Sequence, residues 1–152
     1  MHPDTTIRRA NVLDLEGLGE LFDQYRQFYD CVSDLNKARG WLEENLEAGR
    51  STIFVADDGA HLSGFTQLYP ALCSVDLVEY FVLYDLYVSK PARRQGIARA
   101  LMNAARDWAQ AEGAAPLGRA PARDNIAGQA LYRSLGYQLD EVFLKFSLDL
   151  ND

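Results

Sequence analysis

The chain has 152 residues, 48% of them hydrophobic and 24% charged, with a net charge of −7, which suits one folded domain with a core of its own. The acidic balance argues against a surface dedicated to nucleic acid and is compatible with a cationic partner such as an amine. The richest apolar stretch, residues 77–88, carries Glu79 and Asp85 and is too short to span a bilayer. The N-terminus lacks the basic and apolar regions of a signal peptide, and two isolated cysteines, Cys31 and Cys73, make no disulfide framework, so a reduced, cytoplasmic protein is expected.

The first predicted element is a strand over residues 5–9. Asn11 is a helix N-cap, followed by Val12, Leu15, Leu18, Leu21, Phe22, Tyr25 and Phe28 at helical spacing. Ser33 or Asp34 opens a second helix, with Leu35, Ala38, Trp41, Leu42 and Leu46 on one face and Gly49 after its end. Residues 51–56 and 61–69 read as a hairpin around Asp57-Asp58-Gly59. Residues 70–76 read as a loop.

Residues 79–88 are apolar on both alternating sides: Tyr80, Val82, Tyr84, Leu86 and Val88 on one, Phe81, Leu83 and Tyr87 on the other. That pattern predicts a strand in the middle of a sheet. After Pro91, residues Ile97, Leu101, Ala104, Ala105 and Trp108 mark an amphipathic helix that ends near Gly113. Residues 114–122 are a weak strand interrupted by Pro116, Gly118 and Pro121. Asp124 or Asn125 caps a last helix, which Gly136 stops, and residues 141–150 read as a final strand. The order β-α-α-β-β-β-α-β-α-β is that of an α/β sandwich with a mixed sheet and flanking helices.

The chemistry gathers between residues 88 and 99. A helix N-terminus offers unpaired N–H groups and partial positive charge, which suit a phosphate or pyrophosphate. Gly96 allows close approach of the backbone, Ala98 keeps the first turn slim, and Arg93, Arg94 and Arg99 add charge. Basic residues at that end oppose the helix dipole, a local conflict unless an anion binds. A tight glycine turn with solvated arginines is the other reading of the same residues. There is no Gly-x-Gly-x-x-Gly and no Gly-Lys-Ser/Thr, so neither a dinucleotide fold nor a nucleotide triphosphatase is indicated. No metal-ligand cluster exists, and no Ser, Cys or His constellation suggests a covalent acyl-enzyme.

The run Arg93-Arg94-Gln95-Gly96-Ile97-Ala98 resembles the Arg/Gln-x-x-Gly-x-Gly/Ala motif of the GNAT superfamily of N-acetyltransferases. Asp85-Leu86-Tyr87-Val88 resembles the strand before that motif, and the run from Asn125 to Tyr137 resembles the second motif. The likeness spans residues 5 to 149. Phe65-Thr66-Gln67-Leu68-Tyr69-Pro70 and the helical opening are similar to the branch related to histone and polyamine acetyltransferases.

The resemblance implies a mixed, mostly antiparallel sheet of six to seven strands with a V-shaped splay and about four helices. It implies acetyl-CoA as co-substrate, with no metal. The pyrophosphate would sit on Arg93, Arg94, Gln95, Gly96, Ile97 and Ala98, helped by Lys90 and Arg99. Pantetheine would bond the backbone of Leu86, Tyr87 and Val88 and would contact Asn125.

A small-molecule or peptide amine would attack the thioester directly, through a tetrahedral intermediate. Tyr132 would protonate the leaving thiolate, since a phenol keeps its proton at neutral pH. It lies seven residues after Asn125 and so shares its helix face. Where family members often carry a glutamate base, this chain has Tyr84. Asp85 and Glu79 are the acids available on that strand; Asp85 reads either as a base or as a hydrogen-bonded structural acid, and a water relay is a further route. A non-catalytic CoA-binding sensor of the same fold is the alternative reading, and an acidic domain without cofactor is a third. The first two helices and the loop after Tyr69 would set the acceptor, where Tyr25, Phe28, Tyr29, Tyr69 and Tyr80 suit an organic cation. No nucleic-acid or membrane partner is expected, and a homodimer through the last strand is possible by analogy with relatives.

Overall fold

The computed structural model describes residues 1–114, 117–119, 125–140 and 146–150. They fall into two compact units, Met1–Ala120 and Pro121–Asp152.

The first unit is built on a sheet of five strands in the order β1 (Thr6–Arg9), β2 (Thr52–Asp57), β3 (Leu62–Cys73), β4 (Val78–Val88) and β5 (Leu117–Arg119). The first four pair antiparallel, and β5 runs parallel to β4. Three helices belong to this unit: α1 (Leu15–Phe28), α2 (Leu35–Ala48) and α3 (Ile97–Ala111). The second unit contains α4 (Ile126–Ser134).

Local chemistry accounts for the boundaries. Asn11 and Asp14 form a reciprocal capping box around a 3-10 turn, Val12–Asp14, that leads into α1. Val12 therefore precedes the amphipathic stripe and is exposed. Asp34 caps α2 by accepting from the Lys37 N–H, and Gly49 ends it in the left-handed region at φ 63°.

Helices α1 and α2 cover one side of the sheet. Leu18, Leu21, Phe22, Ala38 and Leu42 pack there on Ile53, Val55 and Phe65 in a continuous apolar core. Helix α3 covers the other side, where Trp108 meets Phe54 and Phe81 with ring centroids 6.3 and 4.7 Å apart.

Three features differ from the sequence pattern. Residues 70–73 belong to β3 rather than to a loop, with Pro70 in register with Phe81. The β2 ladder stops at Thr52–Leu68, so past it β3 is an edge, where a missing N–H is tolerated. Tyr84 interrupts β4: Gln67 pairs with Asp85 but Leu68 pairs with Leu83, which leaves Tyr84 as the extra residue of a bulge. The expected strict alternation is lost there. Phe81 and Leu83 share the α3 side with Val88, whose partner Gly64 faces Ile97 and Leu101. Asp85 and Tyr87 turn toward α1 and α2, and Tyr84 is 56% exposed, so β4 is not buried throughout.

The weak strand expected over 114–122 is seen as Leu117–Arg119; positions 115, 116 and 120–122 lie outside the described residues. The strand expected over 141–150 falls partly outside them, at 141–145. Its other half, 146–150, has no ladder partner among the described residues and holds no strand. The described sheet thus has five strands rather than six to seven, in a GNAT-type α/β arrangement with four helices. Among the described residues, no helix is long and apolar enough to cross a membrane.

Candidate functional site

The turn from β4 into α3 has an unusual backbone. Arg94 has φ 62° and Gly96 has φ 83°, both left-handed. A non-glycine residue in that region costs about 1–2 kcal/mol and is retained chiefly at functional turns. Helix α3 starts at Ile97 with no side-chain cap, so the N–H groups of its first turn are not met by a capping side chain. A Cβ built on Gly96 meets nothing within 4 Å, which leaves open space over the turn. Backbone alternating in hand, an uncapped helix start and an open approach form a cradle suited to a phosphate group.

The arginines divide their roles. Arg94 is exposed and makes no ion pair among the described residues. Arg99 is also exposed, one turn into α3. Arg93 turns back instead: its Nε donates to the Val88 carbonyl at 3.0 Å, and its guanidinium lies over the rings of Tyr87 and Phe28, at 5.4 and 6.0 Å. Gln95 Nε2 donates to the Pro91 carbonyl at 3.4 Å. Ile97 is buried under the helix start and Ala98 is half-buried. Lys90 lies in a 3-10 turn before the cradle and is exposed. Described pairing between β4 and β5 covers Phe81–Leu83 only, so Leu86, Tyr87 and Val88 lie beyond it along the strand.

A second group of residues surrounds the Tyr84 bulge. The Asp85 carboxylate accepts from Gln67 Nε2 at 2.7 Å. Gln67 is fully buried, and its Oε1 accepts from Asn45 Nδ2 at 2.9 Å and from Ser51 Oγ at 2.7 Å. Asn45 also donates to the Tyr69 hydroxyl at 3.0 Å, and Trp41 Nε1 donates to the same oxygen at 3.2 Å. Burial pushes the Tyr69 phenol up and the nearby Asp85 charge adds to this, while the two N–H donors pull it down. The rings of Tyr69 and Tyr84 meet edge to face at 5.5 Å.

Of the expected acceptor-side aromatics, Tyr25, Phe28 and Tyr29 contact one another near the end of α1, whereas Tyr69 belongs to the bulge. Glu79 is exposed and in register with Leu72. It lies roughly 20 Å along the strand from Asp85 at about 3.3 Å per residue, so the two acids are not brought together. A cavity of about 360 Å³ near the start of α1, lined by Asp14, Glu20, Gln24 and His61 among others, includes none of the expected site residues.

In the second unit, Asn125 caps α4 by accepting from the Gly128 N–H at 3.0 Å. Tyr132 lies two turns on, 6% exposed, with its ring 6.1 Å from that of Tyr137. The sequence analysis did not single out Asn45, Ser51 or Gln67 as functional. These buried polar residues are far apart in the chain and carry no spacing signal. Among the described residues, no three His, Cys, Asp or Glu side chains gather as a metal site.

Comparison with known proteins gives this geometry a family. The model of the acetyltransferase (GNAT) family matches residues 16–137. The uncharacterized N-acetyltransferase YhfO of Bacillus subtilis (strain 168) is 37% identical over 144 residues, covering 95% of this chain and 97% of that protein. A crystal structure of a probable acetyltransferase superposes with a TM-score of 0.90 at 34% identity, over 97% of this chain and 99% of the other. An aminoglycoside N-acetyltransferase solved in complex with CoA shares the fold, with a TM-score of 0.80 at 20% identity over 95% and 94% of the two chains. An uncapped helix start with left-handed backbone, set in a chain that matches the family over most of its length, identifies the protein as a member of the GNAT acetyltransferase family and an acyltransferase.

Proposed function

We propose that the protein moves an acetyl group from acetyl-CoA to a primary amine, on a small molecule or a peptide. The observation that carries this is the β4–α3 turn. Arg94 and Gly96 are left-handed there, and α3 starts without a side-chain cap. Bound acetyl-CoA supplies an acetyl group activated as a thioester. Backbone N–H groups of Gln95, Gly96, Ile97 and Ala98 hold its pyrophosphate, with Arg94 and Arg99 adding charge.

Backbone groups of Leu86, Tyr87 and Val88 bond the pantetheine amides along β4. Asp85 takes the proton that the acceptor ammonium must lose before it attacks. A fixed N–H on the same strand faces the oxygen on which negative charge develops. Tyr132, two turns after the Asn125 cap, returns a proton to the departing thiolate. Glu79 is set aside as a base by its distance from Asp85.

The acceptor is an organic cation bound against aromatic rings. Tyr69 and Tyr84 beside Asp85 support that reading, since a cation favours aromatic faces next to a carboxylate. The histone- and polyamine-related assignment rests on residues 65–70, which here form the buried part of β3 and hold Asp85. Action in the cytoplasm and a homodimer complete the proposal.

Isothermal titration with acetyl-CoA, followed by a thiol-release assay against a panel of amines, tests it. Micromolar binding and amine-dependent release of CoA are expected. No binding removes the cofactor site, and binding without release for any amine removes the catalysis.

A further inference from the structure

The amide of Gln67 can take two orientations, and its neighbours decide between them. Arg50 is the fixed point, because a guanidinium donates and never accepts. Its Nε donates to Asn45 Oδ1 at 3.0 Å. The Asn45 amide must then turn its NH₂ toward Gln67, where Nδ2 meets Oε1 at 2.9 Å. Ser51 Oγ donates to the same Oε1 at 2.7 Å. With both donors on its oxygen, Gln67 presents its own NH₂ to Asp85, at 2.7 Å.

An N–H donor stabilises a carboxylate over a carboxylic acid. We infer that Gln67 is a positioning residue, oriented from Arg50 through Asn45, that fixes the Asp85 side chain and holds it ionised at the strand bulge. The inference rests on the reading of Asp85 as the group that takes the acceptor's proton. Gln67 touches no reacting atom. It sets the direction and proton affinity of a group that does.

Other ionisable groups face the same place. Tyr69 on β3 feels the Asp85 charge, Tyr84 precedes Asp85 in the bulge, and Tyr87 follows on β4. Arg50 lies at the end of α2, and β5 brings Arg119 to the register position of Leu83. A donor running through two amides has a direction that simple satisfaction of buried groups does not require, and that direction ends on an acid.

The test is a ¹³C-carboxylate NMR titration of Asp85, assigned by the resonance that Asp85→Asn removes. In Gln67→Met, which keeps the volume and loses the donor, the Asp85 midpoint should rise by about one pH unit. The acid limb of kcat/KM for amine acetylation should move up with it. Arg50→Lys keeps the charge, loses the Nε bond and lies at the surface, so it folds even if Gln67→Met does not. Its midpoint should rise by a smaller amount. An unmoved midpoint in a folded variant overturns the inference. A midpoint that rises while wild-type protein acetylates no amine supports the positioning and removes only the catalytic reading of Asp85.

Discussion

The Nε of Arg93 donates to the carbonyl oxygen of Val88 at 3.0 Å, so this arginine closes the turn behind the cradle rather than lining it. With Tyr87 and Phe28 under its guanidinium, it ties the end of α1 to the end of β4. Arg94, next in the chain, is the outward-facing cation.

The two arginines should therefore fail differently. Arg94→Ala is expected to weaken acetyl-CoA binding by about 3–10-fold, more at low salt, with no change in Tm. Arg93→Ala should lower Tm and weaken binding together, and Arg93→Lys should not restore either, because a lysine lacks the planar group that stacks and bonds at once. Calorimetric titration at two salt concentrations, with thermal unfolding in parallel, separates the two patterns.

Tyr132→Phe keeps the buried ring and removes the hydroxyl. Turnover should fall roughly 10²-fold while acetyl-CoA affinity stays within about twofold. Steady-state kinetics with direct titration checks it. An unchanged rate takes the hydroxyl out of the chemistry and leaves Tyr132 as packing beside Tyr137.

Gly96→Ala meets no obstruction, so its cost is purely that of backbone at φ 83°, about 1 kcal/mol. Gly64→Ala is the contrast. There a Cβ meets the Tyr87 carbonyl oxygen at 2.9 Å and Ile97 and Leu101 at 3.3 Å, so overpacking should cost about 1–3 kcal/mol. Urea unfolding of both variants should give the larger loss at Gly64, and the larger loss of acetyl-CoA affinity at Gly96.

Stability should decline in acid. The Arg8 side chain, bonded to Asp14 at 2.7 and 2.9 Å, holds that carboxyl below its ordinary range. The Ser33 hydroxyl does the same for Asp23, at 2.6 Å. Their folded pKa values lie below the unfolded value of about 3.9. Their stabilisation is therefore complete above that pH and is lost as pH falls through the folded values. The urea midpoint should be flat from pH 7 to 5 and drop below about 4. Ser33→Ala should lower the neutral plateau and shallow the acid slope.

Much of the frame was legible because its signals are local. Asn11, Asp34 and Gly49 mark helix ends by side-chain and backbone chemistry that needs no distant partner, and Asp57-Asp58-Gly59 marks the hairpin, where Asp58 Oδ1 accepts from the N–H groups of Ala60 and His61. The cofactor turn was legible for the same reason: its glycine, its charge and its helix are contiguous. What was not legible depends on pairing. Pro70 reads as a loop residue until β2 is seen to stop short of it. The bulge at Tyr84 exists only in relation to Gln67 and Leu68 on another strand. Asn45, Gln67 and Asp85 meet only because α2 lies on β3 and β3 pairs with β4.

The extra residue at Tyr84 divides β4 into two halves of opposite phase. Before it, the odd-numbered side chains Phe81 and Leu83 serve α3; after it, that duty passes to the even-numbered ones, and Asp85 and Tyr87 serve α1 and α2. The strand therefore behaves like a message with a frameshift built into it. Removing Tyr84 would restore an even ladder and rotate Asp85 away from Gln67 into the α3 layer, while sending Leu86 into the place of a carboxylate. Lineages of this fold can lengthen or shorten the hairpin tip freely, but a single-residue deletion at this point exchanges the apolar and chemical faces of everything that follows it, up to the cradle itself.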